Sequence, residues 1–169
     1  LAMAPLSGPA RAGGERGVLL ELFTSQGCYS CPPADDVLGE LAKQNGVIGL
    51  SLNVDYWDRL GWKDTLAKRA YTNRQYGYAY AMRESGVYTP QLVIHGAADA
   101  VGSDRRAVAR AIRKARSDDS LGLDLERSGD AVTISVANKG GITGAVVLAA
   151  PYRKAFTQKI INGENGGKT

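Results

Sequence analysis

The sequence is poor in cysteine and histidine, and it contains no long apolar run. It has two cysteines and one histidine, whereas a closed structural zinc site uses four such ligands. No apolar stretch approaches the roughly 20 residues that a membrane-spanning helix needs. We therefore expect no metal site and no membrane span.

The charge pattern does not favour a nucleic-acid partner. The formal net charge is only +4, and the basic residues that cluster over 105–116 follow a helical pattern. Nucleic-acid-binding surfaces typically combine such charges with aromatic residues, which this stretch lacks. We interpret the cluster as the solvated face of a helix and expect no nucleic-acid binding.

The two cysteines, Cys28 and Cys31, stand two residues apart. Thiols at this spacing form a small disulfide ring that another thiol can reopen. The apolar stretch 18–23 precedes them and predicts a buried strand, while a helical pattern begins at Pro33. The pair therefore lies between a strand and a helix N-terminus, where free backbone N–H groups favour a thiolate.

Strand and helix patterns alternate through the first two thirds of the chain. Residues 55–88 hold eight of the twelve aromatic residues and include a run over 76–80 whose conformation we leave open. Strand–helix–strand order predicts parallel pairing of the first two strands. The periodicity predicts a disordered arm over 1–16, strands over 18–23, 47–54, 91–94 and 99–101, and helices over 33–45, 64–74 and 104–116.

A different texture follows the basic helix. Residues 121–127, 132–136 and 145–149 alternate or run apolar between glycine-containing turns, which predicts an antiparallel meander. We therefore expect a β-rich extension over 119–169, with a flexible end at 162–169.

Several motifs resemble the thioredoxin-like superfamily over residues 17–116. These are the strand–CxxC–helix order, a second strand that ends near Asp55, and Thr89-Pro90 before a third strand. More narrowly, the segment from Glu21 to Asp35, ELFTSQGCYSCPPAD, is similar to the signature of an uncharacterised bacterial family whose members are usually predicted to be exported.

The resemblance implies an α/β protein with a thioredoxin-like three-layer α/β/α sandwich. This domain would cover 17–118, with an aromatic-rich insertion at about 55–88, and the small antiparallel β-rich extension would follow it. The resemblance also implies a periplasmic or secreted location.

The resemblance assigns roles to four residues. Cys28 would be the nucleophile and Cys31 the resolving thiol, while a cis Pro90 would leave the backbone of Thr89 free to pair with substrate. The disulfide itself would carry the electrons, so no dissociable cofactor is expected. The dipeptide Tyr29-Ser30 differs from that of thioredoxins proper, and the direction of electron flow therefore does not carry over.

Two interpretations of Glu21 remain open. It stands in an otherwise apolar strand, where an unpaired carboxylate is costly to bury. In the first, it takes the proton from Cys31 during exchange, by general base action. In the second, it pairs with a lysine or arginine, or accepts a hydrogen bond from Thr24 or Ser25.

The remaining candidates lie around the expected groove. Tyr29 and Trp57 are candidate substrate-binding residues, whereas Trp62 is interpreted as a packing residue. Asp55 is either a second carboxylate or, as we favour, a loop or helix cap. His95 follows Pro90 by five residues, which places it about 15 Å from the cysteines, too far to complete a metal site with them.

Together these patterns predict a thiol–disulfide oxidoreductase. Its partners would be protein or small-molecule thiols and disulfides, together with an unidentified redox partner, and its oligomeric state stays open. The alternative is a peptide- or glycan-binding module in which the Cys28–Cys31 disulfide is purely structural.

Overall fold

The chain folds into two compact units. One combines Leu1–Arg16 with Asp118–Leu148, and the other combines Gly17–Ser117 with Ala149–Thr169. The computed structural model describes residues 10–11, 17–116, 121–138, 140–141, 143–144, 146–148, 150–153 and 155–168. The elements in chain order are β1 (Ala10–Arg11), β2 (Val18–Thr24), α1 (Pro32–Leu41), β3 (Val47–Asn53), a 3-10 helix (Asp58–Leu60), α2 (Arg69–Met82), β4 (Gln91–Ile94), β5 (Ala98–Val101), α3 (Arg105–Arg116), β6 (Leu121–Ser128) and β7 (Ala131–Asn138).

The larger unit is built on a mixed four-stranded sheet in the order β3-β2-β4-β5. Strand β2 pairs parallel with β3, which confirms the predicted strand–helix–strand pairing. It pairs antiparallel with β4, and β4 pairs antiparallel with β5. Because β2 is an interior strand, the CxxC that follows it lies between neighbouring strands at one end of the sheet.

The two faces of β2 enter different cores because side chains alternate along a strand. Leu20 and Leu22 are fully buried in a cluster with residues of α1 and α3, while Phe23 packs with Val93 and residues of α2. Helices therefore cover both faces of the sheet. Glu21 points to the α2 side, which is decisive for its role.

Helix α1 begins directly after the cysteines. Pro32 and Pro33 occupy its first positions, where the missing N–H groups have no intrahelical partner in any case. The helix ends at Leu41, four residues before the predicted end at Asn45, and turns connect it to β3.

Helix α2 lies later in the chain than the predicted helix over 64–74. Its inner face is formed by Thr72, Gln75 and Ala79, which are buried at helical spacing. The alternating tyrosines over 76–80 lie in this helix and do not form a strand. Tyr78 packs inward, while Tyr76 and Tyr80 are exposed.

The smaller unit is a three-stranded antiparallel sheet in the order β1-β6-β7. The strand β1 pairs with β6 at one side of this sheet. Ala10 and Arg11 therefore form a strand, although they lie in the arm 1–16 that was predicted to be disordered. Backbone pairing to Arg127 and Glu126 accounts for this order. Residues 146–148 form no strand, and the other two residues of the predicted strand 145–149 lie outside the described residues.

The C-terminal segment differs from the predicted extension. Residues Ala149–Thr169 belong with the larger unit rather than with the β-rich one, because Ile160 and Asn165 are buried there. None of the helices in the described ranges is long and apolar enough to cross a membrane.

Candidate functional site

Cys28 and Cys31 form a disulfide at the N-terminus of α1. Their Cα atoms are 5.4 Å apart, and neither residue has exposed surface. Cys31 is the N-cap residue of the helix, and its carbonyl oxygen accepts the N–H groups of Ala34 and Asp35. Strand β2 and the two prolines thus hold the pair against the positive end of the helix dipole.

Thr89 contacts the disulfide from the loop between α2 and β4. Its hydroxyl donates to Cys28 Sγ over 3.3 Å, and it accepts the indole N–H of Trp57 at 2.8 Å. The Thr89–Pro90 peptide bond is cis, as the sequence predicts. The structure therefore brings together five of the predicted site residues: Cys28, Cys31, Trp57, Thr89 and Pro90.

Two buried glutamines support the loop that carries Thr89. Gln75 Nε2 donates to the carbonyl oxygen of Tyr88 at 2.7 Å and to Gln91 Oε1 at 2.9 Å. Gln91 Nε2 and the hydroxyl of Tyr88 both donate to Asp99 Oδ2 at 2.8 Å. Burial and the bond to Asp99 raise the pKa of Tyr88. The residue before Thr89 is thereby fixed at both its backbone and its side chain.

Asp64 fixes the loop before the first cysteine. Its Oδ2 accepts the backbone N–H of Gln26 and the amide of Asn53, both at 2.8 Å, and its side chain is almost fully buried. Trp62 Nε1 donates to Gln26 Oε1 at 2.8 Å. Trp62 therefore has a polar contact with this loop in addition to the packing role predicted for it.

The C-terminal segment contacts the same loop. The amide of Asn165 donates to the carbonyl oxygens of Gln26 and Cys28 at 2.9 and 2.7 Å. The backbone N–H of Tyr29 donates to Glu164 at 2.9 Å, and Lys168 Nζ lies 5.3 Å from the centre of the Tyr29 ring. Tyr29, a predicted substrate-binding residue, is thus in contact with residues 164 and 168 of the same chain.

Glu21 pairs with an arginine, as in the second of the two interpretations left open by the sequence. Arg74 Nε and Nη2 contact its two carboxylate oxygens at 2.6 and 3.0 Å, and the hydroxyl of Tyr78 donates to it as well. Burial and the bond to Glu21 raise the pKa of Tyr78 to about 12. Since both oxygens are occupied on the α2 face, the geometry does not support Glu21 as the base for Cys31.

Asp55 and His95 also have structural roles. Asp55 Oδ1 accepts the hydroxyl of Thr72 at 2.6 Å and lies 3.6 Å from Arg69 Nη1. These are side-chain contacts with the first turn of α2, not the bond to a backbone N–H that defines a helix cap. His95 follows the end of β4, where its backbone N–H donates to the carbonyl oxygen of Leu19. Leu19 lies near the start of β2, at the opposite end from the cysteines.

Asp35 is a titrating group that the sequence did not single out. It follows Cys31 by one helical turn. The residue as a whole is exposed, but desolvation of its carboxyl group raises its pKa to about 6, and the charges of Asp36 and Asp64 act in the same direction.

No group of three or more histidine, cysteine or acidic side chains converges on a metal-sized site within the part of the chain that the structure describes. The side chains that meet at the site are two sulfurs, a hydroxyl and an indole.

Sequence reasoning missed Gln26, Asp64 and Asn165. Asp64 stands at the start of the predicted helix over 64–74, where no role was assigned to it. Asn165 lies in a glycine-rich stretch that carries no periodicity, and a hydrogen bond across 137 residues leaves no local signal.

The fold and site define a mixed α/β protein with a CxxC disulfide between a central strand and a helix. The chain belongs to the family described as "Protein of unknown function (DUF1223)", whose model matches residues 19–169.

One solved structure is similar over much of the chain. It is a crystal structure of a protein from Agrobacterium tumefaciens, with 41% sequence identity and a TM-score of 0.65. The match covers 74% of this chain and 58% of that one, so this chain corresponds to little more than half of that protein's length. A search of curated proteins gives no significant match.

Proposed function

We propose that the protein is a thioredoxin-like thiol–disulfide oxidoreductase that uses Cys28 and Cys31. The observation that carries the proposal is the contact of Thr89, beside a cis proline, with Cys28 Sγ. A purely structural disulfide has no need of a hydroxyl donor directed at one sulfur, whereas a sulfur that becomes a thiolate is stabilised by it.

The fold supports the same proposal. A central strand leads into the CxxC and α1, helices cover both sheet faces, and the cis proline precedes an antiparallel neighbour of that strand. This is the arrangement expected of a thioredoxin-like sandwich. The aromatic-rich stretch 55–88 supplies Trp57 to the site and helix α2 to one face.

The proposed reaction exchanges two electrons between two sulfur pairs. In the reducing direction, the Cys28 thiolate attacks one sulfur of a substrate disulfide, and the other substrate sulfur leaves as a thiolate that takes up a proton. The Cys31 thiolate then attacks Cys28 Sγ in the mixed disulfide. This step closes the Cys28–Cys31 disulfide and releases the second substrate thiol. The reverse sequence oxidises a substrate dithiol.

Two features would stabilise the Cys28 thiolate. The N-terminus of α1 presents its dipole to the pair, and the hydroxyl of Thr89 donates to the sulfur. A charge-assisted hydrogen bond is stronger than a neutral one, so Thr89 stabilises the reduced form more than the oxidised form. We infer that the disulfide carries the electrons without a dissociable cofactor, and that an unidentified thiol or disulfide partner resets it.

A second candidate function has its own supporting observation. Neither Cys28 nor Cys31 has exposed surface, as is typical of an inert structural disulfide. In that case the protein would be a peptide- or glycan-binding module, with Trp57 and Tyr29 as candidate contacts. The two candidates differ in the reduction potential of the pair.

The decisive experiment is a redox titration of the Cys28–Cys31 pair in dithiothreitol and glutathione buffers with thiol counting. The oxidoreductase proposal expects a value above about −270 mV, in the range of exchange catalysts. A value below about −300 mV is typical of structural disulfides and would favour the binding module. A Cys31→Ser variant should accumulate mixed disulfides on Cys28, and a Cys28→Ser variant should accumulate none.

We also propose a periplasmic or secreted location, because members of the family it resembles are usually predicted to be exported. Fractionation of cells that express the full-length natural protein tests this proposal directly.

A further inference from the structure

The end of the described chain forms a closed loop of nine residues, Ile160–Lys168, called here the C-terminal loop. Its two ends pair through Ile160 N–H to the carbonyl oxygen of Lys168 at 3.0 Å and Gly167 N–H to that of Ile160 at 2.8 Å. Ile160 is buried, and Gly163 lies against Trp62. The loop is therefore a packed element of the larger unit.

The polar contacts of this loop are made with the segment that holds the first cysteine. Asn165 is 1% exposed, and both hydrogens of its amide are used, one on Gln26 and one on Cys28 itself. Glu164 accepts the N–H of Tyr29. These backbone groups flank Cys28 on both sides, where an extended peptide that approached the sulfur would make its own hydrogen bonds.

Exchange requires a nucleophile to approach a sulfur along the S–S axis, and the rate of exchange depends on access to that sulfur. Neither Cys28 nor Cys31 presents any surface to solvent with the C-terminal loop in place. Some element must move before a thiol reaches the pair. Two of the elements around Cys28 are a strand end and a helix N-terminus of the core, whereas the C-terminal loop is held by a few hydrogen bonds and one buried apolar side chain.

We propose that the C-terminal loop is an intramolecular cover of the CxxC, and that its undocking gates the access of reductants and substrates to the disulfide. The substrate part of this proposal rests on the proposed oxidoreductase function. The gating of chemical reduction does not, because any buried disulfide can be covered.

The test measures reduction of the disulfide by a water-soluble phosphine in the full chain. The phosphorus gives two electrons to the disulfide and takes an oxygen from water, which yields a phosphine oxide and two thiols. Thiols are counted with a chromogenic reagent over time. Asn165→Ala removes the two hydrogen bonds from the loop to Gln26 and Cys28 and the bond from Lys168 Nζ within the loop. Asn162→Ala removes an exposed amide of the same loop and serves as the matched control.

A second variant disturbs docking by shape instead of hydrogen bonding. Gly163 has φ +78°, and an added Cβ would stand 2.8 Å from the Cβ of Trp62. Gly163→Ala therefore displaces the loop without replacing a residue that contacts Cys28. Thermal unfolding of each variant shows whether the rest of the unit stays folded.

We expect Asn165→Ala and Gly163→Ala to speed reduction by about tenfold or more, since loss of the hydrogen bonds raises the undocked population by that factor. Asn162→Ala should react at the wild-type rate. Folded Asn165→Ala and Gly163→Ala variants that also react at the wild-type rate would overturn the cover. A potential typical of structural disulfides combined with accelerated reduction would reject the oxidoreductase and keep the cover.

Discussion

The hydroxyl of Thr89 donates a hydrogen bond to Cys28 Sγ over 3.3 Å, although 61 residues separate the two in the chain. Trp57 donates to the same oxygen, so the single hydroxyl hydrogen of Thr89 is free to point at the sulfur. The contact is therefore directional, and its strength should depend on the charge of the sulfur.

Replacement of Thr89 by valine keeps the shape of the side chain and removes the donor. We expect Thr89→Val to lower the reduction potential by about 20 mV, because a hydrogen bond worth about 1 kcal/mol favours the reduced form. Redox titration measures the shift. Thr133→Val, in the other unit, is the control, and an unchanged or raised potential in Thr89→Val would contradict this account of the contact.

The pair of Glu21 and Arg74 provides a stability prediction. Glu21 is 3% exposed and Arg74 is 40% exposed, so Arg74→Met leaves a buried carboxylate without its cation. We expect a loss of about 2 kcal/mol in the free energy of unfolding, less than for a fully buried pair because water reaches Arg74. Urea unfolding measures it.

A second ion pair of similar geometry serves as the control for this variant. Arg105 contacts Glu40 in the same two-pronged manner, but both side chains are more than half exposed. Arg105→Met should change stability much less than Arg74→Met does, because solvent screens an exposed pair. Equal effects of the two substitutions would show that burial of Glu21 does not decide the outcome.

Glu21→Gln separates structure from proton transfer. If Glu21 is a structural partner of Arg74, the exchange rate of folded Glu21→Gln should stay within about threefold of wild type, whereas loss of a general base typically lowers a rate by 10²- to 10⁴-fold. The rate is measured with a model disulfide at pH 7. A hundredfold loss in a folded variant would restore the base interpretation of Glu21.

The carboxyl group of Asp35 should make stability depend on pH. Its pKa in the folded protein is raised from 3.8 to about 6, so the folded state binds the proton more tightly than the unfolded state does. The stabilisation is complete below about pH 4 and is lost as the pH rises through 6. Asp35→Asn should therefore gain stability over wild type above pH 6 and match it at pH 3.5.

The contribution of Glu40 to stability should change with pH in the opposite direction. The hydrogen bond from Arg105 lowers the pKa of Glu40, so its contribution is present above the ordinary pKa and is lost as the pH falls. Glu40→Gln should therefore lose stability relative to wild type at neutral pH and match it in acid. Unfolding midpoints from pH 3.5 to 8 test both residues. The assignments would be contradicted if the stability difference between variant and wild type changed with pH in the same direction for Asp35→Asn and Glu40→Gln.

The buried amide of Gln75 should matter for the loop that carries Thr89. Gln75→Leu removes the donor to Tyr88 and Gln91 and leaves buried acceptors without partners. We expect a loss of about 2–3 kcal/mol, measured by urea unfolding. Asn73→Leu, an exposed amide on the same helix, is the control and should change stability by less than about 0.5 kcal/mol.

Local patterns were sufficient for the parts of the site that local chemistry determines. The strand before Cys28, the helix after Cys31 and the cis Thr89–Pro90 bond all follow from short-range composition and family resemblance. The parallel pairing of β2 with β3 follows from connection length and handedness. These features needed no knowledge of distant contacts.

The missed features depend on which side chains meet across the fold. The sequence did not identify Arg74 as the partner of Glu21, because Arg74 was the last residue of the predicted helix and its position against the sheet was not defined. The tyrosines at 76, 78 and 80 alternate as in a strand and did not indicate that the helix continues. Asp64 and Asn165 fix the CxxC loop by hydrogen bonds to its backbone. Backbone groups are the same in every residue, so the loop sequence does not indicate which residue bonds to them.

The C-terminal loop is attached to its docking site through the whole of the second unit, because Asp118–Leu148 lies in the chain between Ser117 and Ala149. The covalent link keeps the loop at a high effective concentration beside Cys28. A single backbone cut within that unit would leave every contact of the loop in place and yet turn docking into a bimolecular equilibrium. Docking would then depend on protein concentration, so a cut within Asp118–Leu148 would make the sulfurs more accessible without changing a residue of the loop or of the CxxC.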